Sequence, residues 1–249
     1  MQVGLFIPCY VDQFYPQVGI ATVKLLERFG AQVVYPREQT CCGQPLANVG
    51  LTADAVPLAR RFVDLFADFD YIVGPSGSCV SMIRNHYADL VGEMPAFARV
   101  QQKTFELCEF LFDVLEIREL AGKFPHQVGI HQGCHGLREL RVASSSETVG
   151  TSFNKMRTLL ESLDGIQISE LDRVDECCGF GGTFAVSEEA VSAMMGRDRL
   201  QDHRQAGTKV LTSGDMSCLM HLAGLARRDA TAMRVMHVAE VFVEAYGGK

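Results

Sequence analysis

No apolar run in this chain reaches the ~18 residues needed to span a bilayer, and its start, Met1-Gln2-Val3-Gly4-Leu5-Phe6-Ile7, lacks a basic segment and a cleavage site. The expected setting is cytoplasmic, without direct membrane insertion. A basic excess is missing too. The 23 Lys and Arg stand against 30 Asp and Glu, for a net charge of -7, which leaves no electrostatic footprint for nucleic acid or an anionic membrane. Partners are expected to be proteins or small molecules. Low-complexity segments and long linkers are also absent, and 249 residues at 47% hydrophobic suit one large α/β unit or two small ones with real cores.

Cysteine, in contrast, is abundant. Nine are present, and in a reducing compartment that number points to metal or redox chemistry rather than to disulfides. Eight fall into two sets of four. Each set has one cysteine ending an apolar run (Cys9, Cys134), an adjacent pair followed by glycine (Cys41-Cys42-Gly43, Cys177-Cys178-Gly179), and one after a Ser-Gly turn (Cys79, Cys218). Packing alone does not explain such a repeat.

Val3 to Ile7 reads as a buried parallel strand ending at Pro8-Cys9, with a helix over Pro16 to Phe29 and a strand over Ala31 to Tyr35 following. After the Cys41-Cys42-Gly43 loop come a helical pattern over Thr52 to Phe69 and the strand Tyr71-Ile72-Val73, which runs into Cys79. This β-α-β-α-β order implies parallel strands, and it brings Cys9, Cys41, Cys42 and Cys79 to one edge of the sheet, where open α/β sheets bind ligands. Residues 86 to 124 are expected to be mostly helical, with the strongest pattern over Val100 to Leu120. The theme then restarts, because Val128-Gly129-Ile130-His131-Gln132-Gly133-Cys134 mirrors Val3 to Cys9 at a shift of 125 residues. The second half continues with a helix over Thr151 to Leu163, a strand near Ile166 to Ile168, a helix from Ser187 to Gln205, the strand Lys209 to Thr212, and a tail with a short strand and a final helix. The expected fold is α/β, with two pseudo-repeated lobes, residues 1–122 and 123–249, each a small parallel sheet with flanking helices.

The gaps of 31 and 36 residues between the cysteine elements of the first set, and of 42 and 39 in the second, match whole β-α units, so three loops converge on one point in each lobe. Four thiolates at one point repel one another unless a cation neutralises them. Zinc and an iron-sulfur cluster both accept four thiolates in a roughly tetrahedral array. Adjacent cysteines point apart and suit different irons of a cluster, whereas structural zinc usually takes local Cys-x2-4-Cys pairs. Zinc remains the alternative.

With its Cys, Cys-Cys-Gly, Cys arrangement repeated twice, the chain resembles the CCG cysteine-rich domain family. That family includes the cysteine-rich component of heterodisulfide reductase, the glycolate oxidase iron-sulfur subunit and a lactate-utilization branch, which is closest in length and in Pro75-Ser76-Gly77-Ser78-Cys79. The resemblance implies an iron-sulfur electron-transfer subunit, a relay more than a complete enzyme, in the oxidation of L-lactate to pyruvate. It implies as partners a ferredoxin-like iron-sulfur subunit and a third lactate utilization subunit. It also implies Cys9, Cys41, Cys42, Cys79, Cys134, Cys177, Cys178 and Cys218 as cofactor and metal ligands; because each set holds four cysteines and no fifth, an ordinary [4Fe-4S] cluster is the simpler expectation. One departure matters. The Cys-x-x-Cys end of heterodisulfide reductase is replaced by Cys79-Val80-Ser81-Met82 and Cys218-Leu219-Met220-His221, so a fifth thiolate is absent from both lobes. A thiol/disulfide redox subunit of the heterodisulfide reductase kind is thus the more distant alternative.

His221 is a candidate extra ligand, set against an ordinary helix residue. Gly179, Gly181 and Gly182 miss the dinucleotide-binding spacing and read as a tight turn whose backbone N-H groups face the sulfurs. His131 and His135 flank Cys134 and could tune a cluster or handle protons. Arg138 and Arg141 could hold a substrate carboxylate, against the plainer reading of solvated charges. Cys108, in an apolar setting, reads as a buried structural thiol.

Overall fold

The computed structural model describes residues 1–247. Two four-stranded, fully parallel sheets form in succession. The first holds β1 (Gln2–Leu5), β2 (Gln32–Val34), β3 (Tyr71–Gly74) and β4 (Thr104–Glu106) in the order β2-β1-β3-β4. The second holds β5 (Gln127–Ile130), β6 (Gln167–Ile168), β7 (Val210–Ser213) and β8 (Arg234–His237) in the equivalent order β6-β5-β7-β8. Parallel neighbours require crossover connections, and helices supply them. Pro16–Arg28 links β1 to β2 with Pro16 at its first turn, Val18, Ala21, Leu25 and Leu26 buried beneath it, and Gly30 leaving at a φ of 81°. Glu189–Gln205 lies between β6 and β7, and Met216–Arg228 between β7 and β8.

The repeat extends to backbone detail. Gly4 pairs with Ile72 as Gly129 pairs with Leu211, and both glycines are needed where they stand. A Cβ on Gly4 would fall 2.6 Å from the Phe69 ring, and one on Gly129 would fall 2.4 Å from His203 Nδ1. Two residues on, Phe6 N-H donates to the Val73 carbonyl at 2.9 Å and His131 N-H to the Thr212 carbonyl at 2.8 Å.

One expectation fails between the sheets. The helical pattern over Val100 to Leu120 is broken into the helix Phe97–Gln102, strand β4, a short helix Leu107–Glu109 and a wider turn over Phe110–Val114. The cause is local. Glu106 and Glu109 form a reciprocal capping box, each side chain accepting the other's backbone N-H, which begins a new helix and forbids the old one from continuing.

The two halves share buried contacts. One apolar cluster draws in Val3, Leu25 and Phe110 together with Val128, Leu211 and Phe242. The last helix, Val238–Ala245, leads into Tyr246, whose ring meets Phe29 and lies under the Arg28 guanidinium at 3.8 Å. Closer to the strand ends, Ser76 and Asp215 form an antiparallel bridge, and Gly77 approaches Gly136 so closely that a Cβ would sit 3.2 Å from its backbone.

Candidate metal centre

In each sheet the strand order reverses direction at the central pair, between β1 and β3 and between β5 and β7, which opens a crevice at the carboxyl ends of those strands. Cysteines occupy that crevice in both halves. Cys9 opens the helix Cys9–Phe14 just after β1, Cys79 lies in the helix Gly77–Ser81 just after β3, and Cys41-Cys42 lie in the loop after β2. Cys134 follows β5, Cys218 lies in the first turn of Met216–Arg228 after β7, and Cys177-Cys178 follow β6. All eight line a single cavity of about 190 Å3 between the halves. Cys108 does not; it is buried in the core, where burial raises its thiol pKa.

The loops are held by different devices. Gln39 pins the first, accepting from Ile7 N at 2.7 Å and donating to the Leu5 and Pro36 carbonyls at 3.0 Å. The buried Tyr87 hydroxyl then donates to the Cys42 carbonyl at 2.9 Å. In the second half the work falls to a fully buried ion pair. Arg199 Nη1 meets Asp202 Oδ2 at 2.9 Å and donates to the Arg173 carbonyl, while Asp202 accepts from the backbone N-H groups of Asp172 and Arg173 at 3.1 and 3.2 Å. Ser192 Oγ donates to the Gly179 carbonyl at 2.7 Å. The helix Glu189–Gln205 was legible as a helix, but its burial of Arg199, Asp202 and His203 was not.

Gly43 and Gly179 adopt φ values of 83° and 84°, a left-handed conformation open to glycine at no steric cost. The turn aims their N-H groups back at sulfur: Gly43 N lies 3.4 Å from Cys41 Sγ and Gly179 N 3.3 Å from Cys177 Sγ, with Phe180 N 3.5 Å from Cys178 Sγ. Those donors favour thiolates. Cys9 Sγ and Cys41 Sγ are 3.7 Å apart. In this crowd the sulfurs cannot all ionise. Thiol hydrogen bonds from Cys42 and Cys9 lower the pKa of Cys41, and those from Cys134 and Cys178 lower that of Cys177. The donors are held protonated in return: Cys9 and Cys134 are raised by sharing a proton with Cys41 and Cys177 and by burial, and Cys42 and Cys178 by the same neighbours and by Cys79 and Cys218. A bound cation would displace the remaining protons and neutralise the thiolates, so the donor set fits a thiolate-bound metal.

The halves interlock across the cavity. The residue after each Cys-Cys-Gly meets the residue after the other half's first cysteine: the Phe180 ring lies 6.0 Å from Tyr10 edge-on, and Gln44 Nε2 lies 3.3 Å from His135 Nε2. His221 Nε2 lies 3.3 Å from the Ser192 carbonyl, to which it can only donate. Arg138 pairs with Glu147 at 2.9 Å and Asp175 at 3.7 Å, and Arg141 is exposed at a φ of 56°. A different histidine approaches the thiols. His131 is fully buried, with a ring nitrogen within 4.8 Å of the Cys178 and Cys218 sulfurs, and burial and the nearby Arg199 lower its pKa to about 3. The sequence offers His131, with His135, as a residue beside Cys134 able to tune a cluster, and the fold adds its approach to Cys178 and Cys218.

Two parallel sheets with a repeated Cys, Cys-Cys-Gly, Cys set at their crevices define a duplicated cysteine-rich protein, and the chain belongs to the CCG cysteine-rich domain family, whose model matches residues 3–84 and 128–223. Relatives match over nearly their whole length. Lactate utilization protein A of Exiguobacterium sp. (strain ATCC BAA-1283 / AT1b) is 40% identical over 248 residues, covering 97% of each chain. Lactate utilization protein A of Bacillus subtilis (strain 168) is 38% identical over 245 residues, covering 97% of this chain and 98% of its own.

Proposed function

We infer that the chain is an iron-sulfur electron-transfer subunit of a lactate utilization system that oxidises L-lactate to pyruvate. The observation that carries this reading is the pair of four-cysteine sets lining one cavity, each with a Gly N-H facing a sulfur. The relatives' shared name, Lactate utilization protein A, supports the system. Residues 1–122 and 123–249 would form the two lobes, and Cys9, Cys41, Cys42 and Cys79 in one and Cys134, Cys177, Cys178 and Cys218 in the other would hold one [4Fe-4S] cluster each. Such a cluster takes up and releases single electrons. The chain's own part is to gather the thiolates, donate backbone N-H groups to them and shield them in a cavity at the ends of the two sheets. A ferredoxin-like iron-sulfur subunit and a third lactate utilization subunit would complete the system. Among the described residues no helix is long and apolar enough to cross a membrane.

Anaerobic reconstitution with iron and sulfide, followed by metal and sulfide analysis and reduction under electron paramagnetic resonance, tests this reading. Iron and acid-labile sulfide in near-equal amounts, with a signal on reduction, are expected. Stoichiometric zinc that iron and sulfide do not displace would replace the relay with a zinc-stabilised scaffold.

A further inference from the structure

We propose that His131, fixed in one tautomer by Arg199, donates its Nε2-H to a metal-bound thiolate of the second half, Cys178 or Cys218, and that this hydrogen bond, absent from the first half, makes the two sites unequal. The proposal rests on the metal-binding reading above.

Arg199 Nε lies 3.3 Å from His131 Nδ1. A guanidinium has only donors, so Nδ1 must accept, and the proton of a neutral imidazole is then on Nε2. That nitrogen is buried and finds no hydrogen-bond partner among the described residues, although a ring nitrogen of His131 lies within 4.8 Å of both the Cys178 and Cys218 sulfurs. A buried N-H calls for an acceptor, and a thiolate is the acceptor at hand. With its proton in place Nε2 has no lone pair for a metal, so His131 acts as a donor to sulfur and not as a ligand.

Arg199 is well suited to hold the ring. It is itself fully buried and anchored by Asp202 and by the Arg173 and Val174 carbonyls, so its guanidinium cannot swing away without breaking the loop that leads to Cys177. In the first half the equivalent of His131 is Phe6. Its ring packs edge-on against Phe62 at 5.0 Å and Phe66 at 6.1 Å and has no donor to give. Hydrogen bonds to cluster sulfurs withdraw charge and favour the electron-rich state. The second site is therefore the easier of the two to reduce, giving electrons a direction across the shared cavity.

Anaerobic cobalt(II) titration of the full chain provides the test, because thiolate-to-cobalt absorption reports sulfur donation whichever metal is native. Wild type, His131→Phe, His131→Leu and His131→Gln are compared. Two cobalt ions per chain are expected in all four. One component of the charge-transfer band should move to lower energy in the Phe and Leu variants and return towards the wild-type position in the Gln variant, which restores an N-H donor; the other component should stay still. In iron-loaded protein only one of two midpoint potentials should fall in His131→Phe. Superimposable spectra and unchanged potentials in all variants overturn the proposal, as does loss of one cobalt in every variant, which would make His131 a ligand or a structural prop. Failure of wild type to bind cobalt at all would remove the metal-binding reading and this inference with it.

Discussion

Asp215 Oδ2 accepts the Ser78 backbone N-H at 2.8 Å, so the residue that opens the Cys218 helix also holds the turn that carries Cys79. Asp215 and Ser76 are equivalents in the repeat, each the N-cap of its own helix, and they meet at the bridge between the halves. Asp215→Ala should leave a buried N-H unpaired and remove a cap, costing about 1–3 kcal/mol. Asp215→Asn, which keeps one acceptor, should cost less. Urea unfolding of the reduced, metal-free chain measures both.

The two Cys-Cys-Gly glycines should differ in tolerance. The atoms nearest a Cβ on Gly43 are those of Ala55, at an ordinary 3.6 Å, whereas one on Gly179 would sit 2.7 Å from Met195 Cβ and from the Ser192 carbonyl oxygen. Gly43→Ala should therefore cost only the left-handed backbone, about 1–2 kcal/mol, and keep its metal. Gly179→Ala must also displace the helix Glu189–Gln205, and should lower both the melting temperature and the metal content of the second half. Equal behaviour of the two variants would contradict the close approach.

Gly179 was legible in sequence as a turn former beside sulfur, and Gly43 was not; the gathering of each set of cysteines at the carboxyl edge of its own sheet was legible from the β-α order, whereas the meeting of both sets in one cavity was not. What stayed hidden depended on tertiary packing. Strand β4 is three residues long, too short to show alternation, and was absorbed into a helical pattern. Arg199, Asp202 and His203 look like the solvated face of a helix until the fold buries them, and His131 and His221 could be ranked only once their partners were seen.

Glu106 gives a pH-dependent stability. Full burial raises its pKa from 4.5 to about 8, so the folded state keeps a proton that the unfolded chain has released. Its contribution is complete below about pH 4.5 and fades as pH rises towards about 8, by an amount on the order of a few kcal/mol. Glu106→Gln should lose less stability between pH 5 and pH 8 than wild type does. Denaturation of both proteins at the two pH values gives the difference, and parallel curves would contradict the assignment.

Cys108 should separate from the other eight cysteines. Buried away from the cavity, it should tolerate Cys108→Ala at a cost of about 1 kcal/mol with metal content unchanged, as inductively coupled plasma analysis can verify. A loss of metal would place it in the site.

The central claim is that each half holds its own metal through its own four cysteines. Iron and sulfide should be counted per chain, after anaerobic reconstitution, in wild type, in the double variant Cys41→Ala/Cys42→Ala and in the double variant Cys177→Ala/Cys178→Ala. The account predicts that each double variant retains half of the wild-type content, with the two halves spectroscopically distinct. Full content in either variant, or complete loss in both from correctly folded protein, would contradict it.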